Sequence, residues 1–269
     1  MTHSHDYLTI RYGGACFSLC GVSEANPLYS QNFSVNADGW LKLGENEVTW
    51  LGDFSQQFNG VNGVGQLSMV SPNGGPYTRW RVTDSAPLDI KLSDVPSGII
   101  LQLAFYLDVS DSNGLQNDQR VDYSIGLQQG DFFVRDYMFN FGFYTDVALP
   151  GSGRRFVVST SNNSPGWPKN PDKDPVAITQ SGWYIFRHKF YPDGQSVFAQ
   201  LSIFDSECSL VKSWAPQQVT VSSDSNRDLG VSDPFYVRYG WIINNFLPSN
   251  SLKLAGQVYA EVLSYSNSL

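Results

Sequence analysis

Residues 181–205 read SGWYIFRHKFYPDGQSVFAQLSIFD. Tyr184, Phe186, His188 and Phe190 alternate there with Ile185, Arg187 and Lys189. After Pro192-Asp193-Gly194-Gln195, Val197, Ala199, Leu201 and Ile203 alternate again. A period of two is that of a strand with unlike faces, and Pro-Asp-Gly-Gln between two such runs is turn chemistry. The stretch is therefore a β-hairpin. His188, one of three histidines, shares a face with three aromatic residues. That places it as a neutral, hydrogen-bonded core imidazole rather than an acid, base or ligand.

The rest of the chain reads in the same way. GIILQLAFYLDVS (98–110) is an almost unbroken apolar run, the mark of a strand covered on both faces. In RVDYSIGLQQGDFFVRDYMFNFGFYTD, Val134, Asp136, Met138 and Asn140 alternate against Arg135, Tyr137, Phe139, Phe141 and Phe143, a strand with one aromatic face. NPLYSQNFSVNADGWLKLG carries an Asp38-Gly39 turn, and two strands flank Pro72 to Pro76. The segment NGVNGVGQ (59–66) has glycines but no following helix, so it reads as a flexible turn, not a phosphate loop. Residues 159–176, with four prolines, form the one long irregular stretch. Helical periodicity is nearly absent, and no 20–50-residue repeat stands out. Twelve or more short strands favour an all-β, two-sheet antiparallel β-sandwich of the jelly-roll kind. Residues 1–269 form a single domain in this reading, with 1–27 as an N-terminal extension or extra strand.

Composition agrees. Charged residues are 16 % and aromatics 14 %, with 24 Gly and 14 Pro, the balance of a β-rich globular chain rather than a disordered one. The net charge of −8 and the scatter of Lys and Arg exclude a phosphate-tracking surface, so nucleic acid is not an expected partner. No apolar run reaches the ~18 residues of a membrane span. The opening MTHSHDYLTIRYGGACFSLCGV lacks a basic n-region and does not read as a signal peptide.

Cys16, Cys20 and Cys208 cannot all pair within one chain. In an extended segment Cys16 and Cys20 would stand about 13 Å apart at ~3.3 Å per residue, beyond disulfide reach. Two readings stay open: one of them bridges to Cys208, or all three are buried thiols.

Three segments in order, YSQNFSVNADGW (29–40), the 181–205 hairpin and VRYGWIINNF (237–246), resemble a family of uncharacterised secreted bacterial modules with a concanavalin A-like (lectin/glucanase, laminin-G-like) jelly roll. The resemblance spans roughly residues 28–262 through short motifs, and departs from the family in residues 1–27 and in the long loop 208–235. It implies a fold and carries over no catalytic residue. Trp40, Trp183 and Trp241 belong to the shared motifs and are expected to pack the core.

Candidate sites follow from residue chemistry. A glycosidase on such a sandwich needs two carboxylates about 5–10 Å apart. Of five glutamates only Glu45 and Glu47 are suitably spaced, and they sit in a turn entering a strand. A polysaccharide lyase needs a cation and a Tyr or His together, but alternation sends His188 to the face opposite Arg187 and Lys189. In LDVSDSNGLQND (107–118), Asp108, Asp111, Asn113 and Asp118 supply hard oxygen ligands, out of EF-hand order, for calcium; the alternative is a polar turn capped by Asx side chains. SSDSNRD (222–228) is a weaker second such cluster. Zinc is disfavoured by cysteine spacing. Trp167 and Tyr144, with Asn163 and Asn170, offer an aromatic platform and amides of the kind that bind sugar rings. Trp167 can equally fold back to plug the end of the sandwich.

The sequence thus points to a non-enzymatic extracellular or surface-associated module that binds glycan or a cell surface, with calcium as an optional loop-holding ion. The rival is a self-assembling structural protein of a filament, coat or virion appendage, whose partner is its own copy. A lyase or hydrolase is third.

Overall fold

The computed structural model describes residues 27–29, 40–41, 47–50, 64–68, 75, 77–78, 89–110, 119–145, 153–162, 174–221, 227–244 and 251–262. Strands in the described residues are β1 (Pro27–Tyr29), β2 (Trp40–Leu41), β3 (Glu47–Trp50), β4 (Val64–Ser68), β5 (Tyr77–Thr78), β6 (Ile99–Leu107), β7 (Gln119–Gln129) and β8 (Phe132–Tyr144). They continue with β9 (Arg155–Ser161), β10 (Val176–Ile178), β11 (Gly182–Asp193), β12 (Ser196–Asp205), β13 (Leu210–Ser213), β14 (Gln217–Gln218), β15 (Tyr236–Asn244) and β16 (Ser251–Val262). One sheet runs β13-β12-β11-β6-β16-β4-β3, with β1 beside β16 and β14 beside β12; the other runs β10-β9-β8-β7-β15-β5-β2. All pairings are antiparallel. The protein is an all-β, two-sheet sandwich of the jelly-roll type, and consecutive strands repeatedly change sheet, as β4 to β5 and β10 to β11 do.

The 181–205 hairpin forms as expected. Asp193 pairs with Ser196 across a two-residue loop, and Gly194 has φ +62 while Gln195 keeps a negative φ. That is the pattern of a type II′ turn, which matches the twist of the flanking strands. Gly130-Asp131 joins β7 to β8 by the same device, with Gly130 at φ +53.

The inward faces interdigitate in an aromatic layer. Phe105 of β6 meets Tyr123, Phe141 and Phe186 edge-on at 5.0–5.4 Å between ring centres. Phe139 of β8 meets Phe186 at 4.9 Å and Trp214 at 5.8 Å. Edge-to-face rings at these separations add to what burial alone contributes.

The described residues of the segment 208–235 form more than a loop. It holds β13 and β14, bridges Thr220 to Asp228 and Gly230 to Ser196, and buries Trp214, Val219, Val221 and Leu229. Residues 64–66, read from sequence as part of a flexible turn, belong to β4, because Val64, Gly65 and Gln66 pair with β16. The stretch 159–176, read from sequence as irregular, holds strand at both ends, since Ser159, Thr160 and Ser161 pair with β8 and Val176 pairs with Val158 of β9. Trp183 is 6 % exposed, yet it sits outside the core. It faces outward on β11, edge-on to Tyr106 at 5.4 Å. The alternation that turns Tyr184 and Phe186 inward forces Trp183 the other way.

Candidate functional site

His188 is fully buried between the sheets. Its Nε2 lies 3.0 Å from the Tyr137 carbonyl oxygen, so Nε2 carries the proton and donates. Tyr123 and Phe139 meet the ring edge-on at 5.1 and 4.9 Å. Desolvation pushes the imidazole pKa down to about 3, against a smaller upward pull from the Tyr137 carbonyl. Arg187 and Lys189 point to the other side of β11: Arg187 Nε donates to Gln102 Oε1 at 3.0 Å, and Lys189 Nζ is 5.1 Å from the Tyr191 ring centre. The lyase constellation does not converge, and His188 is a core residue.

This burial has a pH signature. A histidine whose folded pKa is depressed binds its proton in the unfolded chain first, so stability falls as pH drops from about 6.5 toward 3. Each pH unit within that window costs about 1.4 kcal/mol, so the His188 share at pH 5 is about 2 kcal/mol. Urea titrations at pH 7 and 5 on the wild type and on His188→Gln check this. The pH-dependent loss is expected to be smaller in the variant by about that amount, and equal losses would refute it.

A buried polar layer lies on the outward side of the seven-stranded sheet. Val121, Tyr123 and Ile125 of β7 and Tyr137, Phe139 and Phe141 of β8 point into the core. Their alternates point out, and register gathers them in rows. Asp122 pairs with Asn140 and Asn140 with Ser159; Ser124 pairs with Met138 and Met138 with Ser161; Asp136 pairs with Gly126. Asn140 Nδ2 donates to Asp122 Oδ1 at 2.6 Å. Asp122, Ser124, Asp136, Asn140 and Ser159 are each at most 7 % exposed. Ser124 Oγ is buried and has no hydrogen-bond partner. An unsatisfied buried hydroxyl costs about 1–3 kcal/mol, so Ser124 is a local cost to stability within the row. Hydrogen bonds made there are strengthened by exclusion of bulk water. Asp122 and Asp136 do not make a glycosidase pair: they stand four residues apart along the strand direction, about 13 Å at ~3.3 Å per residue, beyond the ~5–10 Å window.

The sequence-derived ligand residues fare differently. Trp167, Asn163 and Asn170 lie outside the described residues. Tyr144 is 1 % exposed, so its ring has no open face for a sugar, contrary to expectation. Alternation puts it on the polar face with Asn140, but β9 pairs alongside, with Arg155 opposite it. Asp108 Oδ1 accepts from Ser110 N at 3.0 Å, Ser110 Oγ at 2.6 Å and Ser181 Oγ at 3.3 Å, the pattern of an Asx-capped turn. Asp111, Asn113 and Asp118 lie outside the described residues, among which no three His, Cys, Asp or Glu residues group to hold a metal. The row built on Asp122, Ser124 and Asn140 was not singled out from sequence. The signal was the polar half of VDYSIG and of DYMFN, set in strands whose other half is aromatic.

Cys208 is disulfide-bonded, which overturns the reading of three buried thiols. The chain's other cysteines are Cys16 and Cys20, outside the described residues. Cys208 takes φ +65 in the turn after β12, where Asp205 Oδ1 accepts from the Glu207 and Ser209 backbone N–H groups.

No family model and no curated protein matches the chain, so the resemblance of the three motifs to bacterial modules has no family match beside it. Among solved structures the chain is similar to peanut lectin with a 9-mer peptide: 10 % identity, a TM-score of 0.39, 88 % of this chain covered and 98 % of that one. The sandwich assignment rests on the strand order given above, and no ligand or site is transferred from that lectin.

Proposed function

We propose that the protein is a lectin-like, glycan-binding β-sandwich module acting outside the cell. The observation that supports this is the two-sheet antiparallel sandwich, in a chain whose proline-rich stretch sets Trp167 between Asn163 and Asn170 in sequence. A sugar offers hydroxyls that donate and accept at once. An aromatic ring with amides beside it is the complementary set. The Cys208 disulfide supports the extracellular placement, because such bonds persist in oxidising compartments.

The test is a glycan array with purified protein, run with calcium and with chelator. Ser124→Ala is expected to leave the urea midpoint unchanged or slightly higher, since it removes an unsatisfied hydroxyl. Trp167→Ala is expected to weaken glycan binding by about tenfold, and Ser124→Ala, at a fully buried position, to leave it unchanged. Trp167→Ala belongs in the same series as the aromatic arm, and chelator sensitivity would point to a calcium ion at the 107–118 turn. Silence across a broad neutral array would sink the glycan reading, and concentration-dependent filaments would then favour self-assembly.

A further inference from the structure

The disulfide at Cys208 gives the N-terminal segment a second fixed end. Cys208 sits in the turn after β12, where its N–H donates to the Asp205 carbonyl at 3.1 Å and Asp205 Oδ1 holds the Glu207 and Ser209 N–H groups. Within the chain, Cys16 and Cys20 are the cysteines it can pair with, and both precede Pro27, the first residue of β1. Cys20 is seven residues from Pro27 and Cys16 eleven. Extended, these tethers reach about 24 and 37 Å at ~3.4 Å per residue.

Register measures the gap between the two ends. Pro27 stands opposite Glu261, Glu261 opposite Ile100, Ile100 opposite Lys189 and Lys189 opposite Gln200. That row crosses four strand spacings, about 19 Å at ~4.8 Å each, and Asp205 lies five residues further along β12, about 17 Å. The anchors are therefore at opposite corners of this part of the sheet, about 25 Å apart on the diagonal. The inward side of the diagonal is filled by Leu101, Leu103, Phe186 and Leu201. The outward side is the open route, and either tether spans it with the ~5–6 Å of the bridge itself.

Burial on the outward side follows the same line. Ile100, Ala104, Trp183 and Ile185 face away from the core, yet they are only 4–6 % exposed. Tyr191 and Phe198, off the diagonal toward the hairpin tip, are half-buried. Ile185 stands between Phe204 and Ala104. Arg187, over the Phe204 ring at 4.3 Å, shelters it on one side, but the methyl group of Ala104 is too short to do so on the other. None of the described strands packs on that side of the sheet.

We propose that the segment between the disulfide and Pro27 is a strap that crosses the outward face of the nine-stranded sheet, covers the Ala104–Ile185 row and is held down at Cys208. Gly21, Ser23 and Ala25 alternate in it, side chains small enough for an extended backbone to lie close to the sheet. The strap stands whether or not the Trp167 loop binds glycan.

Peptide mapping without reductant, joined to hydroxyl-radical footprinting of the full chain, tests it. The Cys208 peptide is expected to be linked to the one that holds Cys16 and Cys20, in protein that runs as a monomer on a non-reducing gel. Trp183 and Ile185 should be labelled as slowly as Phe186 in the wild type and severalfold faster in Cys208→Ser, with Phe186 and Phe190 unchanged. Should that variant fail to fold, wild-type protein before and after mild dithiothreitol gives the same comparison. The reagent reduces the bridge to two thiols and is itself oxidised to its cyclic disulfide. A bridge between two chains would overturn the proposal. So would unchanged labelling of Trp183 and Ile185 once the bridge is cut, which would assign the cover to residues 263–269 or to neighbouring side chains. A rise shared by Phe186 would also overturn it, by making the bridge a staple of the whole sandwich.

Discussion

Phe139→Ala is expected to lower the unfolding free energy by about 3–5 kcal/mol, the range for removing a large buried ring. Phe139 is fully buried at the centre of the layer. Its ring touches Phe186 and His188 at 4.9 Å and stacks with Tyr123 at 6.4 Å, so truncation strips contacts from both sheets at once. The neighbours belong to hydrogen-bonded strands and cannot collapse into the gap, which places the cost in the upper part of the range. Urea unfolding followed by aromatic fluorescence measures it. A loss below about 1 kcal/mol would mean that the two sheets do not meet through this residue.

Gly98→Ala should be still more damaging. Gly98 precedes β6 with φ +84, and a Cβ there would lie 2.2 Å from the Phe190 carbonyl oxygen and 2.8 Å from Tyr191 Cβ. Neither obstacle is the free end of a flexible side chain. The methyl group can be fitted only by moving β6 away from β11, its partner in the register from Phe190↔Ile99 onward. Strain and lost pairing together make folded, soluble protein the exception. Gly130→Ala is the control: φ is +53 there too, but nothing lies within 4 Å of the added carbon. That variant carries the left-handed backbone penalty alone, about 1–2 kcal/mol. Equal thermal stability of the two variants would refute the close approach.

Much of this architecture was legible in the residues. Period-two alternation identified β8, β11 and β12 and the sides of His188 and Arg187, because one residue of register decides which face is buried. What alternation cannot carry is the partner. Nothing in LAFYLD says that it pairs with both β11 and β16, since strand order is set by contacts far apart in sequence. Trp214 and Leu229 were missed for the same reason. They lie in a stretch without period, and only the bridges that fold it onto β12 make them core. The polar row was hidden differently. Asp122, Ser124 and Asn140 look like an ordinary wet face until register lines them up and burial removes their water.

The placing of β16 bears on how the protein is made. Residues 251–262 lie between β6 and β4, inside the nine-stranded sheet. While these residues are still being translated, β6 exposes a bare strand edge of nearly continuous aliphatic and aromatic side chains. Such an edge is the kind that captures other chains, and pairings this remote in sequence close slowly. The nascent chain therefore passes through a period in which its most apolar strand waits for a neighbour. Co-expression with chaperones is therefore expected to raise the yield of soluble protein.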